Sequence, residues 1–384
     1  IRDDLVTGVQ TCALPISPTP SRTLRRFRRR YVGHRRLAHV ATVAGVASGH
    51  RREDHRDDDY RTRRSSSHAS QATGSLHGVP GGPPTTILTV HAHPDDEASK
   101  GAPTLAMYGS QGIRTVLVCC TGGEEGDLQN PSLAEPGQPF HGLDEAEARR
   151  LLAEVRPLEL ARSAEVIGFD EVVMLGYRDS GMADSEANAH PDCFHCADLD
   201  TAVGDLVEVI RRERPAVIIT YGDDHSGYPH PDHIRVHDIS VLAYDRAGDP
   251  QWYPDRGAAF QPLKLYYSTW TRRRIEAVHR ALTDKLGESP FDDSWFERLD
   301  QDHRITTRID VTGFMWARTG ALRAHATQID PNASFWFGLD DAELESVYPY
   351  EDWILARSEV GPIPGHDEER DLLEGINVAV EASR

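Results

Sequence analysis

The stretch Ile87-Leu88-Thr89-Val90-His91-Ala92-His93-Pro94-Asp95-Asp96-Glu97 decides how the rest of the chain is read. Its first four residues form a short apolar run, three of them β-branched, with Pro84 before it and a polar cluster after it. That is the pattern of a buried strand. From Ala98 to Gln111 the apolar spacing becomes helical, with Leu105, Met107 and Tyr108 among its positions and Gly112 as the stop. Arg114 to Cys120 is expected as the second strand, broken by Gly122-Gly123. Leu143 to Gly168 reads as one long helix or two, with an interruption near Pro157. Strands follow at Glu171–Leu175 and Ala216–Thr220, with a helix at Thr201–Arg212 between them. Beyond Leu263 the pattern gives a strand at Leu265–Trp270, a helix at Arg272–Leu286, a strand at Ile305–Asp310 and a helix from Val311 to about Gln328.

Strands alternating with helices at this spacing imply βαβ units: an α/β fold with a Rossmann-like, mostly parallel sheet flanked by helices. Four polar clusters follow strand ends: His91–Glu97, Thr121–Asp127, Gly176–Gly181 and Tyr221–His233. In an open parallel sheet such segments converge on one edge, where ligands bind. The C-terminal additions are expected to extend this domain and cover part of the site.

Charge is unevenly placed along the 384 residues, whose formal net charge is -19. Residues 1–85 carry 15 basic and 7 acidic side chains, which leaves 27 basic and 54 acidic ones for the body. An acidic body repels phosphate backbones, so nucleic acid is not an expected partner. No apolar run reaches 18 residues, so no membrane-spanning helix is expected. The five cysteines (Cys12, Cys119, Cys120, Cys193 and Cys196) do not suggest a disulfide framework, and a reducing cytoplasm is the expected location.

The first 85 residues differ from the rest. Residues 6–16 look like a translated sequencing adapter, and residues 17–85 are rich in Arg, Ser, His and Gly. The run Arg25 to Arg30 suggests a basic arm or a transit peptide; the plainer expectation is a disordered or artefactual extension. The expected divisions are therefore 1–85 as extension, 86–360 as the functional domain and 361–384 as a C-terminal tail.

The chemistry lies in His93-Pro94-Asp95-Asp96 paired with His230-Pro231-Asp232-His233. A catalytic zinc takes three His, Asp, Glu or Cys ligands and keeps a fourth position open. A strand end running into a helix start can aim residues i and i+3 at one point, so His93 and Asp96 can share an ion. Asp95 then projects beside it without ligating, and His233 is the best distant third ligand. Taken alone, Asp95 and Asp96 would serve equally well near a helix N-terminus.

Together, Ala92-His93-Pro94-Asp95-Asp96-Glu97 and His230-Pro231-Asp232-His233 resemble the LmbE-like N-deacetylases, the GlcNAc-PI de-N-acetylase superfamily, over about Thr86 to Glu359. Ser99-Lys100-Gly101, Thr121-Gly122-Gly123-Glu124 and Tyr228-Pro229-His230 are most similar to its mycothiol branch, on the amidase side. The resemblance implies an LmbE-like fold and one Zn2+ per chain, with Fe2+ also able to occupy such a site. It implies His93, Asp96 and His233 as ligands, Asp95 as general base, His230 as a group that stabilises the oxyanion or assists the leaving amine, and Tyr228 polarising the carbonyl. Lys100, Asp127, Arg156 and Asp179 are implied to contact substrate. The implied reaction is hydrolysis of the amide of mycothiol S-conjugates, small amino-sugar/inositol thiol conjugates. The rival is deacetylation of N-acetylglucosaminyl-inositol or another N-acetyl sugar.

Other signals are weaker. Cys193-x-x-Cys196 reads as loop cysteines or a structural metal site. His225 is a loop residue that could reach substrate. His91 is expected as a core histidine or as one that orients a ligand, and Glu97 to cap the helix or support a ligand. Trp295, Trp336 and Trp353 are expected as packing residues, with one of them able to line an entrance.

Overall fold

In the computed structural model the described residues are 85–360 and 368–376, and the readings for residues 1–84 lie outside them. The chain runs β1 (Thr86–His91), α1 (Asp96–Ser99), α2 (Ala102–Ser110), β2 (Arg114–Thr121), α3 (Glu145–Ile167), β3 (Glu171–Tyr177), α4 (Leu199–Glu213) and β4 (Val217–Tyr221). It continues through α5 (Pro231–Ala247), β5 (Lys264–Ser268), α6 (Arg272–Leu286), α7 (Asp293–Glu297) and β6 (Thr307–Asp310). It closes with α8 (Met315–Ala324), α9 (Ser334–Phe337), α10 (Asp341–Val347) and β7 (Tyr350–Ser358).

The strands form one sheet in the order β3-β2-β1-β4-β5-β7-β6. The first five are parallel, and β7 runs antiparallel to both β5 and β6. Strand residues alternate between two apolar layers, as the period of a strand requires. Leu88, Val90, Val116, Val118 and Ile218 face one core with Val203, Leu206 and Ile239 of α4 and α5. Ile87, Leu117, Cys119 and Ile219 face the other with Leu105, Leu160 and Ala321 of α2, α3 and α8. The α/β fold with a mostly parallel sheet is as expected.

Three local readings change. Leu143 to Gly168 holds a single helix with Pro157 inside it, begun by a capping box of Asp144 and Glu147. Helix Ala98–Gln111 is split at Gly101, whose φ is +104° and whose added Cβ would lie 2.8 Å from the Trp353 ring. The boundary at residue 360 also moves: Leu372, Leu373 and Ile376 are buried, and Glu369 bonds to Lys264, Tyr266 and Thr307. Residues 368–376 therefore belong to the body; the rest of 361–384 lies outside the described residues. Helix α5 and strand β7, absent from the sequence reading, are the largest additions.

Strand order reverses between β1 and β4, which is where open parallel sheets bind ligands. The Tyr221 hydroxyl at the end of β4 accepts a hydrogen bond from the Ala92 amide after β1, 2.9 Å away. The two histidine-bearing segments leave the sheet side by side from this point.

Candidate active site

The four polar clusters open onto one cleft of about 750 Å³, lined by His93, Asp95, Asp96, Asp127, Asp179, Tyr228, His230 and His233 among others. Ligand atoms of His93, Asp96 and His233, all buried, lie within 4.8 Å of one another. The rings of His93 and His233 are 5.3 Å apart, although 140 positions separate them in sequence. His93 turns Nδ1 toward Asp96 Oδ2 (3.4 Å) and Nε2 toward Asp232 Oδ2 (3.3 Å). A proton on Nε2, shared with Asp232, leaves the Nδ1 lone pair free to ligate. His233 Nε2 is 3.4 Å from the same Asp96 oxygen, and its ring stacks on Tyr221 at 4.4 Å. Burial pushes the His233 imidazole down to about 3, so it is neutral and able to coordinate.

A second group, His93, Asp179 and His230, also meets the 4.8 Å condition. Its donors are more committed: Asp179 Oδ1 accepts from Gly181 N (2.8 Å), Oδ2 accepts from Glu125 N (3.2 Å), and His230 Nδ1 accepts from Asp232 N (3.2 Å). Asp96, Asp179 and Asp232 all lie within 3.6 Å of His93. Three buried carboxylates around one imidazole, with Lys100 as the ammonium on Asp96, make a donor set suited to a divalent cation.

Asp95 sits at the entry to α1 with φ 113° and ψ -26°. Positive φ is costly for a non-glycine, though less so for Asp, and such strain gathers at working sites. A buried framework holds this conformation. Glu97 Oε2 accepts the Asp95 amide at 3.0 Å, and Glu97 Oε1 bonds to Ser163 Oγ and to His325 Nε2 (2.6 Å). The Asp95 carboxylate receives Arg156 Nη2 at 2.9 Å. Burial pushes the Asp95 carboxyl above its usual range, and the Arg156 guanidinium opposes that rise.

His230 caps α5, accepting the Asp232 amide at Nδ1, and Pro231 fills the first helical position. This bond fixes the tautomer: Nδ1 is an acceptor, so the proton sits on Nε2. Burial, and then His93 nearby, lower its pKa to about 4, so His230 is a neutral donor. Tyr228 lies over both histidines, with ring centroids 5.9 Å from His230 and 5.2 Å from His233, and is 54% exposed at the cleft mouth.

The four residues expected on substrate are placed differently. Asp127 is exposed in the cleft, and among the described residues its carboxylate makes no hydrogen bond. Lys100 donates to Asp96 Oδ1 at 2.5 Å. Arg156 lines the cleft, and its guanidinium serves Asp95, Pro94 O (2.8 Å) and Gly123 O. Asp179 is likewise engaged by backbone amides beside His93.

His91 is a buried core residue bonded to Thr89 Oγ1 (2.8 Å), and among the described residues it meets His233 through the Tyr221 ring rather than directly. His225 packs on His237. Cys193 is buried, Cys196 exposed, and both are free thiols near Asn188 O; no group of three metal-binding side chains includes them among the described residues. Trp353 is buried, and Trp295 lines the cleft.

Sequence reasoning missed Asp232, Ser180, His325 and Tyr221. Asp232 is fully buried and held by Ser180 N (2.9 Å) and Ser180 Oγ. Its position inside His230-Pro231-Asp232-His233 was a signal; nothing local marks His325, which follows the last residue of α8.

Residues 88–244 match the PIG-L family, GlcNAc-PI de-N-acetylase. The mycothiol S-conjugate amidase of Streptomyces coelicolor is 41% identical over 298 residues, covering 76% of this chain and 97% of that protein. The chain belongs to the GlcNAc-PI de-N-acetylase family. A second relative in this family, the 1D-myo-inositol 2-acetamido-2-deoxy-alpha-D-glucopyranoside deacetylase of Streptomyces scabiei, is 38% identical over 302 residues, covering 76% of this chain and 89% of that protein. The N,N'-diacetylchitobiose deacetylase structure from Pyrococcus horikoshii overlays with a TM-score of 0.48 at 17% identity, covering 71% of this chain and 83% of that one. The chain is thus a de-N-acetylase family hydrolase acting on an amide bond, with a His/Asp/His group able to hold a metal ion. No helix among the described residues is long and apolar enough to cross a membrane.

Proposed function

We propose that the protein is a zinc-dependent cytoplasmic amidase that hydrolyses mycothiol S-conjugates to glucosaminyl-inositol and an N-acetylcysteine S-conjugate, a thiol-detoxification reaction. The observation that carries this is the meeting of His93, Asp96 and His233 in one cleft with Asp95 beside them, in a chain 41% identical to such an amidase. His93, Asp96 and His233 would hold the ion, which when bound supplies the Lewis acidity that acidifies a water and polarises a carbonyl.

The remaining steps belong to the chain's own side chains. Asp95, its pKa raised by burial, accepts the proton of the attacking water. As charge grows on the carbonyl oxygen, His230 Nε2–H and the Tyr228 hydroxyl donate hydrogen bonds to it. Asp95 then returns its proton to the departing amine. Neutral His230 is suited to donate a hydrogen bond rather than to release a proton. Arg156 positions Asp95, and Asp232 positions His93. Asp127, with Lys100 and Asp179 nearby, supplies acceptors and a donor for substrate hydroxyls.

A second reading, deacetylation of N-acetylglucosaminyl-inositol, is favoured by the 38% identical deacetylase. Hydrolysis of a thiol-blocked mycothiol conjugate, measured beside acetate release from the N-acetyl sugar, separates the two. A preference for acetate release of more than about tenfold, equivalent to ~1.4 kcal/mol in the barrier, removes the amidase reading.

A further inference from the structure

The cleft has a second wall that takes no part in this chemistry. Trp270 follows β5, Trp295 lies on α7, and Phe335 and Trp336 lie on α9. Trp270 stacks on Phe335 at 5.8 Å and meets Trp295 at 5.9 Å, and Trp295 meets Phe335 at 5.4 Å. These three rings are only half-buried, and Leu299 beside them is 66% exposed; all line the cleft that holds His93 and His233. The Arg298 guanidinium lies 3.6 Å over the Trp295 ring, and among the described residues no carboxylate lies within ion-pair distance of it. Arg298 also abuts the segment that carries Tyr228: a Cβ on Gly227 would sit 3.1 Å from Arg298 Cδ.

Sheet order says which half of a substrate meets this wall. The His93/Asp96/His233 group stands over β1 and β4; β2 and β3 lie to one side and β5 to the other. Glu125, Asp127 and Asp179 reach the cleft from the β2 and β3 side, the aromatic rings from the β5 side. An amide held at the centre extends its halves in opposite directions. The hydroxyl-rich half suits the carboxylates, and a flat apolar group suits the rings.

We propose that Trp270, Trp295, Arg298, Leu299 and Phe335 form a subsite for an aromatic group on the acyl half of the amide substrate. The inference rests on the amidase reading above and adds the class of S-substituent that the site takes. A stacked ring there gains contact area from the indoles and a cation–π contact from Arg298.

The test compares kcat/KM for S-benzyl and S-methyl mycothiol conjugates in wild type, Trp295→Ala and Arg298→Ala. Isothermal titration of the full-length, metal-loaded protein with N-acetyl-S-benzylcysteine and N-acetyl-S-methylcysteine adds a readout that needs no turnover. The expected result is a benzyl-over-methyl preference of about tenfold or more in both measurements, collapsing toward one in Trp295→Ala and falling several-fold in Arg298→Ala. A wild-type ratio near one in both measurements overturns the subsite. So does a Trp295→Ala effect equally large for N-acetylglucosaminyl-inositol, because the wall would then serve the sugar half. If neither conjugate is hydrolysed, the amidase reading fails on its own, and the titration ratio decides the subsite. If Trp295→Ala does not fold, an Arg298→Ala ratio equal to wild type overturns it.

Discussion

Gly123→Ala tests the support beneath the general base from a position outside the cleft lining. Gly123 has φ +67°, and an added Cβ would lie 2.4 Å from Arg156 Cζ and Nη1. No side chain can stay at that distance, so the guanidinium must move. Arg156 is buried, and moving it strains or breaks its bonds to Pro94 O (2.8 Å) and Asp95 Oδ2 (2.9 Å). Left-handed backbone costs a non-glycine about 1 kcal/mol. Hydrogen bonds to a charged group contribute ~1.5–3 kcal/mol each. With partial relaxation, the variant is expected to lose about 3–5 kcal/mol of unfolding free energy, read from urea denaturation.

The same change has a sign in the pH profile. Burial raises the Asp95 pKa and Arg156 is the foremost group holding it down, so displacing Arg156 raises it further. Asp95 must be ionised to accept a proton, so the acidic limb of kcat/KM moves to higher pH. Wild-type denaturation with an unmoved acidic limb would refute both the packing argument and the assignment of Arg156 to Asp95.

Tyr228→Phe removes one donor to the developing oxyanion. It is expected to lower kcat by about 10²–10³ with metal content unchanged; undiminished turnover would remove Tyr228 from the chemistry. Chelation is expected to abolish hydrolysis, restored by added zinc, and His233→Ala to retain far less metal by atomic spectroscopy; full metal content in that variant would reject the ligand set. Asp95→Asn is expected to keep its metal and lose roughly 10²–10⁴ in kcat, and unchanged activity would refute the proposed base. Leu372→Ala empties a fully buried position of the segment after β7 and is expected to cost about 2–5 kcal/mol in urea unfolding; a loss below ~0.5 kcal/mol would show that this segment is not part of the core.

Much of the site was legible because its signals are local. A strand ending in His93-Pro94-Asp95-Asp96 carries its own geometry, since a turn into a helix sets where residues i and i+3 point. His230-Pro231-Asp232-His233 works the same way, with Pro231 starting α5 and His230 capping it. The contacts of Arg156 were not legible because sequence spacing cannot show what a guanidinium touches. Its position on α3 does not reveal that Gly123 and Asp95 lie against it. Strand β7 escaped because Tyr350 to Ser358 mixes charges with apolar residues, and Glu351 and Asp352 are buried only by virtue of partners on distant elements.

By itself the sequence determined the strand-helix alternation, the parallel core of the sheet, and the two histidine segments with the acid pair inside the first, because hydrophobic period and turn chemistry are properties of neighbouring residues. The tertiary structure alone decided that Asp232 backs His93, that Arg156 and the Glu97–His325 pair hold Asp95, and that an aromatic wall closes the cleft beyond β5. Those contacts join positions up to 228 residues apart, and no spacing rule spans that distance because it is the order of strands in the sheet that brings them together.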